Sequence, residues 1–418
     1  MRRGWTAALA ISLAGVLTAT ACGGSGGEDA EGSVEVFSWW TGGGEAAGLD
    51  ALIERFEADN AGIAFNNAAV AGGSGTNAQG VLESRLQANE PPDSFQGHAG
   101  AELMDYIEAG YLEPLTEFYA EQGLNEVFPP ELLEQITLDG EIYSVPVNIH
   151  RSNVLWYNPG VLEEAGVEPP TTLAEFEDAL ATVEEETDAI PLSLGAQWTA
   201  DHLLESILLA SLGTEGYNAL WQPGADWSTP EVTEALETFD RIYAYTNTDA
   251  GAADWQEASQ AVVDGDAAFN IMGDWALSLF QEVGAVEGED YGYVPTPGTD
   301  GTYLWLSDSF TLPVNAPNPE GAQAWLELVS SQEGQDIFNP LKGSIPARTD
   351  ADASLYEGYL ADALTDWQES TMAPSYQHGA AANNRQKSGI NDAVGVYIRD
   401  GDVAALQEAL VTAAGEAG

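Results

Sequence analysis

"SVEVFSWWTGGGEAAGLDALIERFEADNAGIAFNNAAV", residues 33 to 70, decides the fold. Its first eight residues read as a strand. Residues 46 to 59 then carry Leu49, Leu52, Ile53 and Phe56 at helical spacing, and "IAFNNAAV" is extended again. Further on, Val81, Leu82, Arg85 and Leu86 predict a second amphipathic helix. "PPDSFQGHA" opens at a proline break and reads as a third short strand. Strand, helix, strand, helix, strand predicts a parallel sheet with helices on its faces. Ligands of such sheets lie beyond the carboxyl ends of the strands. Trp39, Trp40, Gln96 and His98 fall at those ends.

A second unit begins near residue 150. "EIYSVPVNIHRSNVLWYN", residues 141 to 158, gives two extended runs, one on each side of "IHR". Helices are predicted over 172–186, 200–211 and 231–245. "AAFNIMGDW", residues 267 to 275, is a buried strand running into a helix start at Asp274. "TYLWLSDSFTLPVN" is extended, residues 319–331 are helical, and the C-terminal third is mostly helical.

The chain of 418 residues is long enough for two or three core-forming units. Its 44% hydrophobic content and twelve tryptophans separate it from acidic disordered chains, which are poor in aromatics. Lys and Arg number 11 against 68 Asp and Glu, a formal net charge of −57. Phosphate binding needs a basic footprint, so nucleic acid is disfavoured as a partner. The acids are spread along the chain and read as a solvated surface whose self-repulsion salt screens. Only two lysines exist, Lys342 and Lys387.

At the N-terminus, Arg2 and Arg3 precede "WTAALAISLAGVL" and "TATAC", an export signal too short to span a bilayer. Cys22, the single cysteine, follows small residues at the expected cleavage point. The segment resembles a bacterial lipoprotein signal, with Ala19 where Leu or Val is usual; plain secretion with cleavage near Ala21 is the alternative. On the first reading residues 1–21 are the signal, Cys22 carries the lipid, and residues 22–33 are a flexible tether.

Several chemistries leave no trace. There is no Walker loop, HExxH motif, cysteine–histidine metal spacing or GxSxG elbow. No cofactor or metal is expected. Carboxylate pairs carry no weight, because 68 acids make chance pairs abundant; a glycosidase stays open on this count. What remains is a set of polar and aromatic residues at strand ends. A pyranose presents apolar C–H faces that stack on Trp, Tyr or His, and a hydroxyl rim that wants Asp, Glu, Asn, Gln, His and Lys.

Three segments carry a resemblance. "VVDGDAAFNIMGDW", residues 262 to 275, resembles the FxxGxxAMxxxGxW-type pattern of family 1 extracellular solute-binding proteins of ABC transporters. "NVLWYNPGVLEEAGVEPPTTLAEFEDA" resembles the stretch after their first crossover, with Leu173 where Trp is common. "FSWW", "DSFQGHAG", "VPVNIHRSN", "FNIMGDW", "LSDSF" and "FNPLKGSI" together resemble the glucose/mannose-binding branch. The resemblance implies an α/β, two-lobe periplasmic-binding-protein-like fold of type II. Each lobe would be a mainly parallel sheet flanked by helices, closing about a hinge. It implies crossovers near 146–152, 306–311 and 346–352. The N-terminal lobe is then 34–148 with 309–348, and the C-terminal lobe 149–308 with 349–418.

The function so implied is an extracytoplasmic, lipid-anchored monomer. It captures a monosaccharide (glucose, mannose or galactose) and delivers it to an ABC permease without enzymatic chemistry. A secreted glycoside hydrolase, or a binder of an oligosaccharide or polyol, is the alternative.

The candidate site residues follow from both readings. Trp39 and Trp40 lie on opposite strand faces, so at least one points into a core. The glycines after them are expected to leave a ligand room. Glu45 accepts hydroxyl bonds, or merely sits at a helix start near the positive dipole end. Gln96 and His98 share a face. His150 stands at the first crossover, beside Asn148 and an Arg151 that is free to pair with acids. Trp275 is the pattern's tryptophan, and Asp274 before it either caps the helix or binds ligand. Trp255 opens a helix before the pattern. Asp308 and Lys342 are expected to converge on one sugar oxygen, and His378 to close on the ring from the other lobe.

Overall fold

The computed structural model describes residues 32–72, 75–247, 250–251 and 253–415. The segments read as an export signal and tether, with Cys22, lie almost wholly outside them. The opening stretch folds as read: strand β1 (Ser33–Phe37), a helix over Gly43–Asp59 and strand β2 (Ala64–Asn67). The helix Thr76–Gln87 leads to β3 (Ser94–His98). β1 pairs in parallel with β2, Val36 opposite Asn67, and with β3, Val36 opposite Ser94.

A small ladder of β4 (Thr137–Leu138) and β5 (Glu141–Ile142) precedes β6 (Ser144–Pro146). Next come β7 (His150–Arg151), β8 (Val154–Tyr157), β9 (Ile190–Leu192) and β10 (Ala267–Ile271). β11 (Gly292–Pro295), β12 (Thr302–Leu306), β13 (Asp308–Thr311) and β14 (Thr371–Pro374) complete the set. The first lobe is built on the sheet β2-β1-β3-β13-β6, and the second on β11-β8-β10-β9. A third sheet, β14-β12-β7, adjoins them. One strand in each larger sheet runs against the rest: β13 is antiparallel to β3 and β6, and β8 to β10 and β11.

The chain passes twice between the first and third sheets. β6 ends at Pro146 and β7 starts at His150; β12 ends at Leu306 and β13 starts at Asp308. "IHR" is not a gap between extended runs. His150 and Arg151 are themselves a strand, paired with Leu306 and Trp305 of β12. Two residues are too few to show any periodicity, so only the partner strand reveals it.

The first core gathers Trp40, Phe56, Phe95, Trp325 and Phe338, and the second Phe176, Leu203, Leu204 and Phe239. Each phenylalanine or leucine fully buried in this way contributes about 1.5–3 kcal/mol. Gly44 explains one glycine of the run after the tryptophans. A Cβ there would stand 2.2 Å from the Leu341 carbonyl oxygen and 2.3 Å from Ser278 Cβ. The residue lets the helix Gly43–Asp59 press on its neighbours and makes no room for a ligand. Gly42, at the cavity wall, does face open space.

Candidate ligand-binding site

The strand ends and crossovers enclose a cavity of about 170 Å³. Its walls carry Trp39, Glu45, His98, Asp308 and Lys342 on one side, and His150, Trp198, Trp255, Trp275 and His378 on the other. Asp308, set at the end of the C-terminal lobe by the sequence bounds, instead opens β13 of the first sheet. Trp40 also touches the wall but is 1% exposed, its ring 4.6 Å from Phe338 and 5.5 Å from Phe310. It is mainly a core residue. Trp39 is the half-buried partner: its ring lies 5.0 Å from that of His98 and rests on Gly75. Both tryptophans follow the end of β1, where strand alternation no longer fixes their directions.

Two of the expected residues stand behind the wall. Gln96 is 1% exposed, donates to Asp308 Oδ1 at 2.7 Å and accepts from the Trp39 backbone N–H at 3.1 Å. β13 arrives beside β3 with Phe310 opposite Gln96, and Asp308 comes between the amide and the cavity. Asp274 is fully buried and caps nothing; the helix Ala276–Glu282 after it has no side-chain cap. Its carboxylate instead accepts from His150 Nδ1, from the Arg151 backbone N–H at 2.9 Å and from the Tyr359 hydroxyl at 3.3 Å. Burial pushes Asp274 well above the usual carboxylate range, against the pull of the Arg151 N–H, the Lys342 charge and the Tyr359 hydroxyl. Arg151 pairs with Asp366 and lies over Tyr303, away from the cavity.

Asp308 sits at the charge centre. It accepts from Asn148 Nδ2 at 2.7 Å, and His98 Nε2 and His150 Nε2 stand 3.8 and 3.7 Å away. Burial would raise its carboxyl, but Lys342, His150, His98 and the Asn148 amide outweigh that and hold it low. Lys342 Nζ lies 3.0 Å from Glu45 Oε1 and 6.0 Å from the Trp275 ring centre. Burial raises Glu45 despite Lys342. His150 is driven well below the ordinary imidazole value, mainly by burial and then by Lys342. Its Nε2, inside the cavity wall, has no hydrogen-bond partner among the described residues. A buried polar atom left in this state is costly.

The aromatic wall is built on Trp275. Its ring centre is 4.9 Å from His378, 5.4 Å from His150 and 6.5 Å from Trp198. The Gly-x-Trp spacing has a direct cause. A Cβ on Gly273 would come 2.1 Å from Trp275 Cζ3, so only glycine lets the indole fold back there. Trp255 reaches the cavity at the start of the helix Trp255–Val263, which a capping box of Asp254 and Glu257 fixes. Such a cap contributes about 1 kcal/mol.

The sequence reading missed Trp198 and His202. Trp198 stands near the start of the long helix Gln197–Ala219, in which residues 198–209 are all buried, so nothing distinguished it from core. The chain's histidine count was the available signal for His202, since all four gather here. His202 Nε2–H donates to the Ser152 carbonyl at 2.8 Å, which leaves Nδ1 to accept from His378 Nε2 at 3.2 Å. Burial holds His202 down at about 4 from the ordinary 6.5. Between those values the unfolded chain binds more protons, so this stability is complete above pH 6.5 and is lost as pH falls toward 4. The thermal midpoint is expected to fall on acidification across this window. The fall should be shallower in His202→Gln by on the order of 3 kcal/mol at most. Identical pH slopes in the two proteins would refute the assignment.

The site thus offers indole faces, three carboxylates (Glu45, Asp254 and Asp308), an ammonium and imidazoles around one small space. Among the described residues, no three His, Cys, Asp or Glu side chains are grouped to hold a metal ion. The family described as bacterial extracellular solute-binding protein matches residues 41–336. An uncharacterized ABC transporter extracellular-binding protein of Pyrococcus horikoshii is 34% identical over 376 residues, 88% of this chain and 84% of its own. The xylose/arabinose-binding protein of Haloferax volcanii is 32% identical over 403 residues, 94% of this chain and 87% of its own. Among solved structures, a chitin oligosaccharide binding protein superposes with a TM-score of 0.81 at 20% identity, over 92% of this chain and 98% of its own. That likeness establishes the two-lobe type II architecture. By family match and by relatives at this identity, the chain belongs to the bacterial extracellular solute-binding proteins.

Proposed function

We propose that the protein captures a monosaccharide outside the cytoplasm and delivers it to an ABC permease. The observation that carries this reading is the cavity itself. At about 170 Å³ it is smaller than the roughly 300–1,000 Å³ of pockets for drug-sized ligands. It sets the Trp275 indole beside Asp308, Lys342 and the unpartnered His150 Nε2. An apolar ring face with a hydroxyl rim matches that set, and the small volume favours one ring over two. Glucose, mannose or galactose fits the resemblance in the sequence. The Haloferax volcanii relative's name adds pentoses to the panel. Closure is driven by the sugar's greater affinity for the closed lobes.

One observation favours a second reading. Glu45 is held above and Asp308 below the usual carboxylate range, and carboxylates split in this way serve as acid and base in glycoside hydrolysis. The Lys342 ammonium against Glu45 favours binding instead, because it engages the group that would donate the proton. Calorimetry with glucose, mannose, galactose, xylose, arabinose, glycerol and maltose tests the proposal, alongside incubation with 4-nitrophenyl glycosides. Micromolar binding of one monosaccharide without turnover is expected; hydrolysis, or preference for maltose or glycerol, would overturn it.

The protein is further proposed to act as a monomer tethered through lipid on Cys22, outside the described residues. A Cys22→Ser variant is expected in the soluble fraction of expressing cells. Unchanged membrane fractionation would refute the tether.

A further inference from the structure

Glu102, which neither lines the cavity nor belongs to any motif read from the sequence, lies at a seam between the lobes. It is in the first turn of the helix Ala101–Glu108 and is fully buried. Within the first lobe, its Oε2 accepts from His98 Nδ1 at 2.9 Å and Gln79 Nε2 at 2.8 Å, and its Oε1 accepts from the His98 backbone N–H at 3.2 Å. From the second lobe comes Lys387, whose Nζ lies 3.5 Å from Glu102 Oε2 and 3.4 Å from Gln79 Oε1. Lys387 is carried by the helix Asn384–Asp400, which packs into the second core through Ile390, Val394 and Tyr397.

The backbone closes the same seam. The first N–H groups of a helix need partners from outside it. Here the Ala101 N–H donates to the Ala380 carbonyl at 3.1 Å and the Glu102 N–H to the Gly379 carbonyl at 2.9 Å. The Asn384 N–H donates in return to Asp105 Oδ2 at 2.8 Å. Gly379 permits this approach, since a Cβ there would meet Glu102 Oε2 at 2.5 Å. The residue before it is His378, in the cavity wall. Burial opposes the Glu102 charge, yet His98 and Lys387 beside it hold its carboxyl at about 2. Glu102 is therefore an anion that fixes the proton on His98 Nδ1 and turns Nε2 toward Asp308 and the cavity.

We infer that Glu102 is a positioning residue that couples His98 in the cavity to a latch made by Lys387 and the 379–380 carbonyls, so that ligand contact and lobe closure stabilise one another. The inference rests on the reading of the cavity as a sugar site. Opening the lobes would strip Glu102 of Lys387, and the first turn of its helix of both carbonyl partners. The bond to His98 would remain, without the cation that balances it.

Lys387→Met and Lys387→Arg, alone and combined with Glu102→Gln, test this in the full chain. Lys387→Met is expected to weaken binding of the preferred monosaccharide by about tenfold, within the range of measured couplings. The loss should lie in faster dissociation, with association unchanged. Lys387→Arg should restore most of it, and the Lys387→Met effect should shrink in the Glu102→Gln background. Small-angle scattering without sugar should show Lys387→Met more open than wild type, with native circular dichroism. Wild-type dissociation and scattering in Lys387→Met would overturn the latch. If the wild type binds no sugar in the panel, the sugar reading fails, and the ligand-free scattering alone decides the latch.

Discussion

Replacing Trp275 by alanine is expected to weaken monosaccharide binding by roughly 30- to 150-fold, about 2–3 kcal/mol, the scale of a buried tryptophan anchor. The indole forms the wall between His150, His378 and Trp198, so its removal enlarges the cavity and leaves one sugar face bare. Trp275→Phe keeps a ring and should lose less. Gly273→Ala, which drives a methyl into the indole, should lose affinity with Trp275 still present. Calorimetry on variants with native circular dichroism gives the answer. Affinity within threefold of wild type in folded Trp275→Ala would remove the stacking assignment.

Asp308→Asn should have the larger effect, a loss of at least about a hundredfold, because it unbalances buried charge as well as hydrogen bonds. Gln96 and Asn148 both point N–H donors at the Asp308 carboxylate, one at each oxygen. An amide accepts one of them and turns its own N–H₂ on the other. Lys342, His98 and His150 lose the anion among them. Breaking such a buried arrangement costs about 3–5 kcal/mol, shared between folding and binding, so the thermal midpoint is expected to fall together with affinity. A variant with wild-type affinity and stability would show Asp308 to be incidental to both.

The contrast between Asp308 and Gln96 shows how far the sequence could be followed. Strand parity correctly set Gln96 and His98 on β3, and the resemblance drew attention to Asp308. That β13 lies against β3, so that Asp308 stands in front of Gln96, depends on a pairing between segments more than 200 residues apart in the chain. Asp274 failed in the same way: local rules favour a helix cap, and strand β7 supplies stronger partners. The helix start at Trp255 was read correctly, and the capping box of Asp254 and Glu257 is its local cause. Trp198 could not be placed, because an indole within an apolar helix looks the same whether it faces Leu side chains or a ligand. The parallel sheet itself was legible, since its period and its proline and glycine breaks are all local.

The two lysines are 2% and 5% exposed, and each is held against a glutamate. A chain with no other lysine therefore presents no ε-amine on the outside of this structure. Acylating labels, amine cross-linkers and aldehyde fixatives have no side-chain handle there. Their slow reaction becomes a gauge of how often the two halves part.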